Sequence, residues 1–379
     1  MTRIFPPGST IGVIGGGQLG RMFAVAARRM GYHVHVFTPD RNSPASQFAD
    51  ATTEADYHDI EAVRSFAASV DLATFEFENI PKDTIEWCAG EVELRPSAAV
   101  IETAQNRLRE KNFFAKNGFP AAEFRSVRNS GELVSAVEQI GRAAILKTAA
   151  FGYDGKGQQL ISSRDLDEVW KTRVGDELLL ERAIDFEKEI SVIVARSSSG
   201  EMKTFPIGEN IHRDHILDFT MVPADVPQAV ARKAVELATG IADKLQVVGL
   251  VAVEMFLEGG GNLLVNEIAP RPHNSGHWSI EGCVTSQFEQ HVRAISGLRL
   301  GSTELLKPTA MANLLGNLWQ DGEPDWAAAL GIPNVHLHLY GKYEARPRRK
   351  MGHLTAVADS GAEAMRLVRR ARDSLCKQK

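Results

Sequence analysis

At 379 residues, with 44% hydrophobic and 24% charged side chains, the chain has the composition of two or three globular domains and not of a disordered or fibrous protein. Its 48 acidic and 43 basic residues leave a net charge of −5, which excludes a general nucleic-acid binder and favours small molecules as partners. Three cysteines without CxxC spacing exclude a cysteine zinc site; with no signal-peptide pattern at the start and no apolar run approaching ~20 residues, a cytoplasmic protein without a membrane partner is expected.

In chain order, Thr10 to Asp40 read as strand, glycine turn, helix and strand. Gly15, Gly17 and Gly20 satisfy GxGxxG, and Asp40 lies where a dinucleotide fold places its ribose carboxylate. Such glycines let the backbone approach a phosphate at a helix N-terminus without saying whose phosphate it is. An NAD-dependent oxidoreductase stays open here. The next strand, DLATFEFENI, ends in Glu76 and Glu78 at the sheet edge expected to carry ligands, solvated acids being the alternative. Pro96 then introduces SAAVIETAQNRLREKNFFAKNGFP, predicted as one amphipathic helix stopped by Gly118 and Pro120.

From Ser126 to about Pro206 the pattern is αββαβ. Lys147 interrupts an apolar strand and calls for an anion beside it; a phosphate would serve, and a snorkelling edge lysine is the alternative. FGYDGKGQ follows, a glycine loop whose amides could fold over phosphates, although it is no Walker A loop because no Ser or Thr follows its lysine. Strand DELLLER, a short crossing segment and a second strand carrying Glu189 suit a nucleoside. In FPIGENIHRDHIL, His212 and His215 read as polar loop histidines in preference to a zinc pair.

VAVEMFL and LLVNEIA, joined by EGGGN, read as a β-hairpin that sets Glu254 opposite Glu267. Like charges on cross-strand partners repel. A divalent cation between hard oxygens resolves the conflict, with Asn266 adjacent, so Mg2+ or Mn2+ is expected; two unrelated surface glutamates are the alternative. The following PRPHNSGHW is rich in donors, with Arg271 placed to face an oxyanion. Near the end, Lys342, Arg346, Arg348, Arg349 and Lys350 are accompanied only by Glu344, a cluster that could anchor a phosphate monoester or stand as a solvated basic loop.

Taken together these pieces resemble the ATP-grasp ligases across essentially the whole chain, and within them the N5-carboxyaminoimidazole ribonucleotide synthase family. The resemblance rests on GGGQLGRM at 15–22, GYDGKGQ at 152–158, NEIAPRPHNSGHW at 266–278 and KMGH at 350–353. It implies an α/β and α+β architecture: a Rossmann-like pre-ATP-grasp domain (1–104), a small ATP-grasp domain with its linker helix and glycine loop (105–205), a large ATP-grasp domain with the metal site (206–308), and a C-terminal αβ subdomain (309–379). It also implies ATP-dependent carboxylation of 5-aminoimidazole ribonucleotide by bicarbonate through carboxyphosphate, with ATP and Mg2+ (or Mn2+) as cofactors and a homodimer as the assembly. A ribonucleotide ligase of the formate-using type is the neighbouring alternative.

The same resemblance assigns residues. Arg107 and Lys147 would hold phosphates, under a loop made of Gly152, Tyr153, Asp154, Gly155, Lys156, Gly157 and Gln158. Glu181, Arg182, Ala183 and Ile184 would hold adenine, Glu189 ribose, and His212 another part of the nucleotide. Glu254 and Glu267 would bind the metal beside Asn266, while Arg271, His273 and Asp154 are the catalytic candidates. Gly17, Gln18, Leu19, Glu76, Tyr153, Asn274, Lys342, Arg349 and Lys350 would contact the ribonucleotide.

Overall fold

The computed structural model describes residues 3–141, 143–150, 157–161, 166–172 and 177–376. Four short strands open the chain: β1 (Thr10–Ile14), β2 (His33–Thr38), β3 (Ala51–Glu54) and β4 (Leu72–Phe75), parallel in the order β3-β2-β1-β4, with β1 and β4 apolar and the polar β3 at the edge. A buried parallel sheet needs cover on both faces. α1 (Gln18–Arg29) supplies one cover through Phe23, Ala24 and Ala27; α2 (Ile60–Ala68) and α3 (Lys82–Glu91) supply the other through Val63, Phe66 and Ile85.

Residues 98–116 form two helices where the sequence suggests one: α4 (Ala98–Ala104) and α5 (Arg107–Lys116). The break is at Asn106, whose backbone is extended (φ −134°, ψ 117°) and whose side chain accepts the N–H groups of Leu108 and Arg109 at 2.9 and 3.0 Å. A strong N-cap residue in mid-pattern restarts the helix and turns its axis.

β5 (Phe124–Val127), α6 (Ser130–Ile140), β6 (Ala144–Thr148), β7 (Gln158–Ile161), α7 (Leu166–Lys171) and β8 (Leu178–Arg182) follow, their strands making an antiparallel sheet ordered β5-β8-β6-β7. The chain then crosses to a larger sheet at β9 (Lys188–Arg196), with the short β10 (Met202–Thr204) at its side. The change of sheet therefore falls at 183–187, ahead of residue 205, because β9 finds its partners in the larger sheet.

The stretch read as a polar histidine loop is instead a hairpin of β11 (Gly208–Arg213) and β12 (Ile216–Val222). Asp214 and His215 make its two-residue turn with φ of 50° and 64°, the positive values such turns require. α8 (Gln228–Lys244) lays a stripe of Val230, Ala234, Leu237, Ala238 and Ile241 on the sheet. β13 (Gly249–Leu257) and β14 (Leu263–Ala269) are the hairpin expected from the sequence.

After the short α9 (Ser279–Gly282), α10 (Gln287–Ile295) packs against α1 through Phe288, Val292 and Ile295. Its His291 reaches both sheets: Nε2 lies 3.1 Å from Thr74 Oγ1, and Nδ1 accepts the Leu250 N–H at 3.2 Å. β15 (Thr309–Leu315), α11 (Trp326–Leu330), β16 (Val335–Leu339), β17 (Lys350–Val357) and α12 (Gly361–Asp373) complete the chain. Their strands do not make a separate sheet but extend the large one, in the order β14-β13-β9-β11-β12-β15-β17-β16. Among the described residues no helix is long and apolar enough to cross a membrane.

The glycine turn between β1 and α1 closes on a side chain. Gly15 has φ +111°, and a Cβ there or on Gly17 would collide with Glu76. Gly15→Ala should lower unfolding stability by about 2 kcal/mol or more, from the left-handed backbone and the collision together; denaturant titration measures it, and an unchanged midpoint would remove this account of the turn.

Candidate active site

The hairpin register sets Glu254 directly opposite Glu267, and a β-bulge follows because Met255 pairs with Val265. Asn266 is the extra residue, next to Glu267 at the bulge. Burial and the facing Glu267 push Glu254 up to about 8. Among the described residues no three His, Cys, Asp or Glu side chains form a metal cage of their own. Two carboxylates and an amide make an incomplete set of hard donors, which fits a Mg2+ whose remaining ligands are water and phosphate oxygens.

Around this pair the structure gathers several of the residues singled out from sequence. Glu189, on β9, meets Nδ1 of His212, on β11, at 2.8 Å; burial works against the imidazolium, but Glu189 outweighs it and raises the His212 pKa. His273 is partly buried, and desolvation together with the nearby Arg271 and Lys350 holds it well below the usual histidine range and therefore neutral. Its Nδ1 lies 2.9 Å from Ser275 Oγ and its Nε2 3.7 Å from Glu254 Oε1. Asn274 is buried with neither its amide nitrogen nor its amide oxygen hydrogen-bonded. Such a group is costly unless a ligand satisfies it. His277 is wholly buried and neutral, 3.0 Å from Gln287 Nε2 and packed on His353.

Arg271 does not stand alone beside the paired glutamates. Glu78 accepts its Nε–H at 2.5 Å and its Nη2–H at 3.0 Å, a two-point grip that fixes the guanidinium plane. Burial opposes both ionised forms, yet each partner favours the other's charge, so Glu78 is lowered and Arg271 raised. Glu78 thus gains the definite place that its sequence context left open.

The N-terminal turn differs from the sequence expectation. Glu76 accepts N–H groups from Gly17 and from Gly20, the latter at 2.8 Å, and so occupies the N-terminus of α1. Burial raises the Glu76 pKa against those two donors. The glycines make room for a carboxylate of the chain itself. The NAD reading loses its phosphate donors, and Gly17 offers a ligand no free N–H; Gln18 and Leu19 begin α1 beside it. Lys342 reaches this region, acting electrostatically on Glu76, while Lys350 acts on Glu254, His212 and His273. Lys342 also donates to the Lys350 carbonyl at 2.6 Å, and Arg349 to the Glu344 carbonyl at 2.9 Å.

In the small sheet, the anion beside Lys147 is Glu181, at 2.5 Å. A second lysine, Lys111 on α5, meets the other oxygen of the same carboxylate at 2.5 Å. Burial disfavours the Glu181 charge, but the two ammonium groups outweigh it and hold the acid at about 2. Arg107 heads α5 and donates to the Thr148 carbonyl at 3.0 Å, next to Lys147. Gln158 pairs with Lys147 across β6 and β7, and Gly157 takes φ +72° against Thr148. Arg182 ends β8, and Ala183 and Ile184 lie in the crossing segment. Gly152, Tyr153, Asp154, Gly155 and Lys156 lie outside the described residues.

Glu110 and Lys111 escaped the sequence reading. Both are buried, and Glu110 is pushed up to about 8 by burial. The available signal was positional: two opposite charges stand one helical turn before Phe114, on the face it buries.

Three family models match in succession: the ribonucleotide synthetase preATP-grasp domain over residues 9–105, the ATP-grasp domain over 112–288, and the phosphoribosylaminoimidazole carboxylase C-terminal domain over 309–366. The N5-carboxyaminoimidazole ribonucleotide synthase of Bacillus subtilis (strain 168) is 45% identical, over 93% of this chain and 92% of that protein. The chain belongs to the N5-carboxyaminoimidazole ribonucleotide synthase family. The bifunctional purine synthesis protein purC/E of Dictyostelium discoideum is 44% identical over 93% of this chain, which spans 37% of that longer protein. A solved N5-carboxyaminoimidazole ribonucleotide synthetase in complex with ADP matches with TM-score 0.92 at 44% identity, covering 98% of both chains. The Aspergillus clavatus N5-carboxyaminoimidazole synthase in complex with ADP and 5-aminoimidazole ribonucleotide matches with TM-score 0.88 at 36% identity, covering 97% of this chain and 99% of that one. The fold is the ATP-grasp fold, with the preATP-grasp and C-terminal domains of this family.

The raised carboxyls set a pH dependence. Folded Glu254 and Glu110 keep protons up to about 8, whereas the unfolded chain releases them near 4.5, so the folded state binds more protons in between and loses stability as pH rises toward 8. Above about pH 7 the buried neutral histidines no longer oppose this slope, being uncharged in both states. Without divalent metal, the urea midpoint should fall between about pH 7 and 8.5, and Glu254→Gln should flatten the fall. A flat or rising profile in the parent protein would contradict the assignment.

Proposed function

We propose that this chain is an ATP-dependent carbon–nitrogen ligase that carboxylates 5-aminoimidazole ribonucleotide with bicarbonate in purine biosynthesis, giving N5-carboxyaminoimidazole ribonucleotide, ADP and phosphate. The observation that carries the reading is the like-charge pair Glu254 and Glu267 at a bulge, with the gripped Arg271 acting electrostatically on Glu267, in a chain of this family. The ADP and 5-aminoimidazole ribonucleotide named for solved relatives agree with it.

ATP would lie between the small and large sheets, its phosphates near Arg107 and Lys147 and its adenosine along residues 181–184 and Glu189. Mg2+ held by Glu254 and Glu267, with Asn266 adjacent, would neutralise charge on the transferring phosphoryl group. Transfer to bicarbonate gives carboxyphosphate and is mainly a matter of positioning and charge neutralisation, so cations held in place by carboxylate partners suit it. Arg271 would face the acyl phosphate while Glu78 keeps its plane fixed. Neutral His273 can accept a proton where an imidazolium could not. The unsatisfied amide of Asn274 would meet the ribonucleotide, with Gln18, Leu19 and Glu76 on its other side and Lys342, Arg349 and Lys350 at its phosphate. Tyr153 and Asp154 belong to the loop that would exclude water from the intermediate. Homodimeric assembly and a cytoplasmic location complete the proposal.

ADP release should require bicarbonate and 5-aminoimidazole ribonucleotide together; formate supporting the same release in place of bicarbonate would replace this reading with the transformylase one. Glu267→Gln should lower turnover by about 100-fold or more without lowering the melting temperature. Near-parent turnover in a folded Glu267→Gln would remove the metal from the account.

A further inference from the structure

We propose that Glu110 and Lys111 are positioning residues that aim Glu267 at the metal, a role resting on the reading of Glu267 as a metal ligand. β14 is the outermost strand of the large sheet, and the bulge at Asn266 interrupts its one ladder. An edge strand with a bulge is where strand geometry is least determined by pairing. Yet a carboxylate that ligates a metal must be held to within about 0.5 Å to bind a demanding cation such as Mg2+.

The outer edge of β14 supplies what the ladder lacks. Glu110 Oε1 accepts the Ile268 N–H at 2.7 Å, and Lys111 Nζ donates to the Asn266 carbonyl at 2.9 Å. Those groups belong to the two peptide units on either side of the Glu267 Cα. Fixing both planes fixes φ and ψ of Glu267, and with them the direction in which its side chain leaves the strand. One turn of α5 performs both tasks with consecutive residues, and one residue further along the edge the Pro120 carbonyl takes the Val265 N–H at 2.7 Å.

Burial makes a bland packing role a poor explanation. Glu110 and Lys111 are only 3% and 2% exposed, and a carboxyl group or an ammonium so placed is costly unless its polar atoms are partnered. Apolar residues would pack α5 more cheaply but could not hold peptide groups. Lys111 also meets Glu181, which heads the segment read as the adenine site, so a single ammonium joins that segment to the metal strand.

The test compares ADP affinity by calorimetry with Mg2+ and with EDTA, taking the ratio as the metal enhancement. Glu110→Leu should cut that enhancement roughly tenfold while leaving metal-free ADP affinity and the ribonucleotide KM unchanged. Glu110→Gln, which retains an acceptor for the Ile268 N–H, should keep it. Lys111→Met, which loses the Asn266 carbonyl contact, should cut it similarly and serves as the deciding variant where Glu110→Leu does not fold. An unchanged enhancement in either folded variant overturns the inference. Glu267→Gln separates the two levels: if it abolishes the enhancement while Glu110→Leu keeps it, only the positioning role fails, whereas an intact enhancement in Glu267→Gln sinks the metal reading itself.

Discussion

Two carboxylates forced opposite one another on a well-paired hairpin are the constraint on which the rest of this site depends. Glu254 is held opposite Glu267 because β13 pairs with β9 along its whole length and with β14 from Ala252 to Leu257. The repulsion is relieved either by a proton on Glu254 or by a cation between the two, and a cation that needs further oxygen ligands draws a polyphosphate to the same place. The surrounding charges follow that logic. Arg271 is neutralised in part by Glu78, His212 by Glu189, and Lys147 and Lys111 by Glu181, so the site carries paired charges instead of a bare cationic field.

The hairpin and its register were legible because strand period, glycine content and the two glutamates all agree on one pairing. The N-terminal βαβ unit and the small sheet were legible for the same reason: apolar period and turn chemistry point the same way. The break at Asn106 was not, since an asparagine within a helical pattern is equally a tolerated surface residue; its capping role depends on the backbone turning there to meet Ala150. Nor was the β11–β12 hairpin, whose two-residue turn is built from Asp214 and His215 with no glycine to announce it.

What the sequence could not disclose in the site is mostly partnership. Glu78 and Arg271 are 193 residues apart, and nothing local says that one grips the other. Lys147 was correctly read as needing an anion, but local sequence could not distinguish a ligand phosphate from Glu181, which comes from the neighbouring strand. Glu110 and Lys111 carry no local signal of a partner, since the groups they meet lie on β14. The glycine fingerprint misled most, because the same small residues that admit a phosphate also admit a side chain.

A carboxylate tethered in the chain competes for the α1 N-terminus at a local concentration a free anion does not match. Two of the N–H groups that such a turn would offer, those of Gly17 and Gly20, are spent on Glu76, so a phosphate or sulfate arriving from solution meets a carboxylate there instead of an open anion hole.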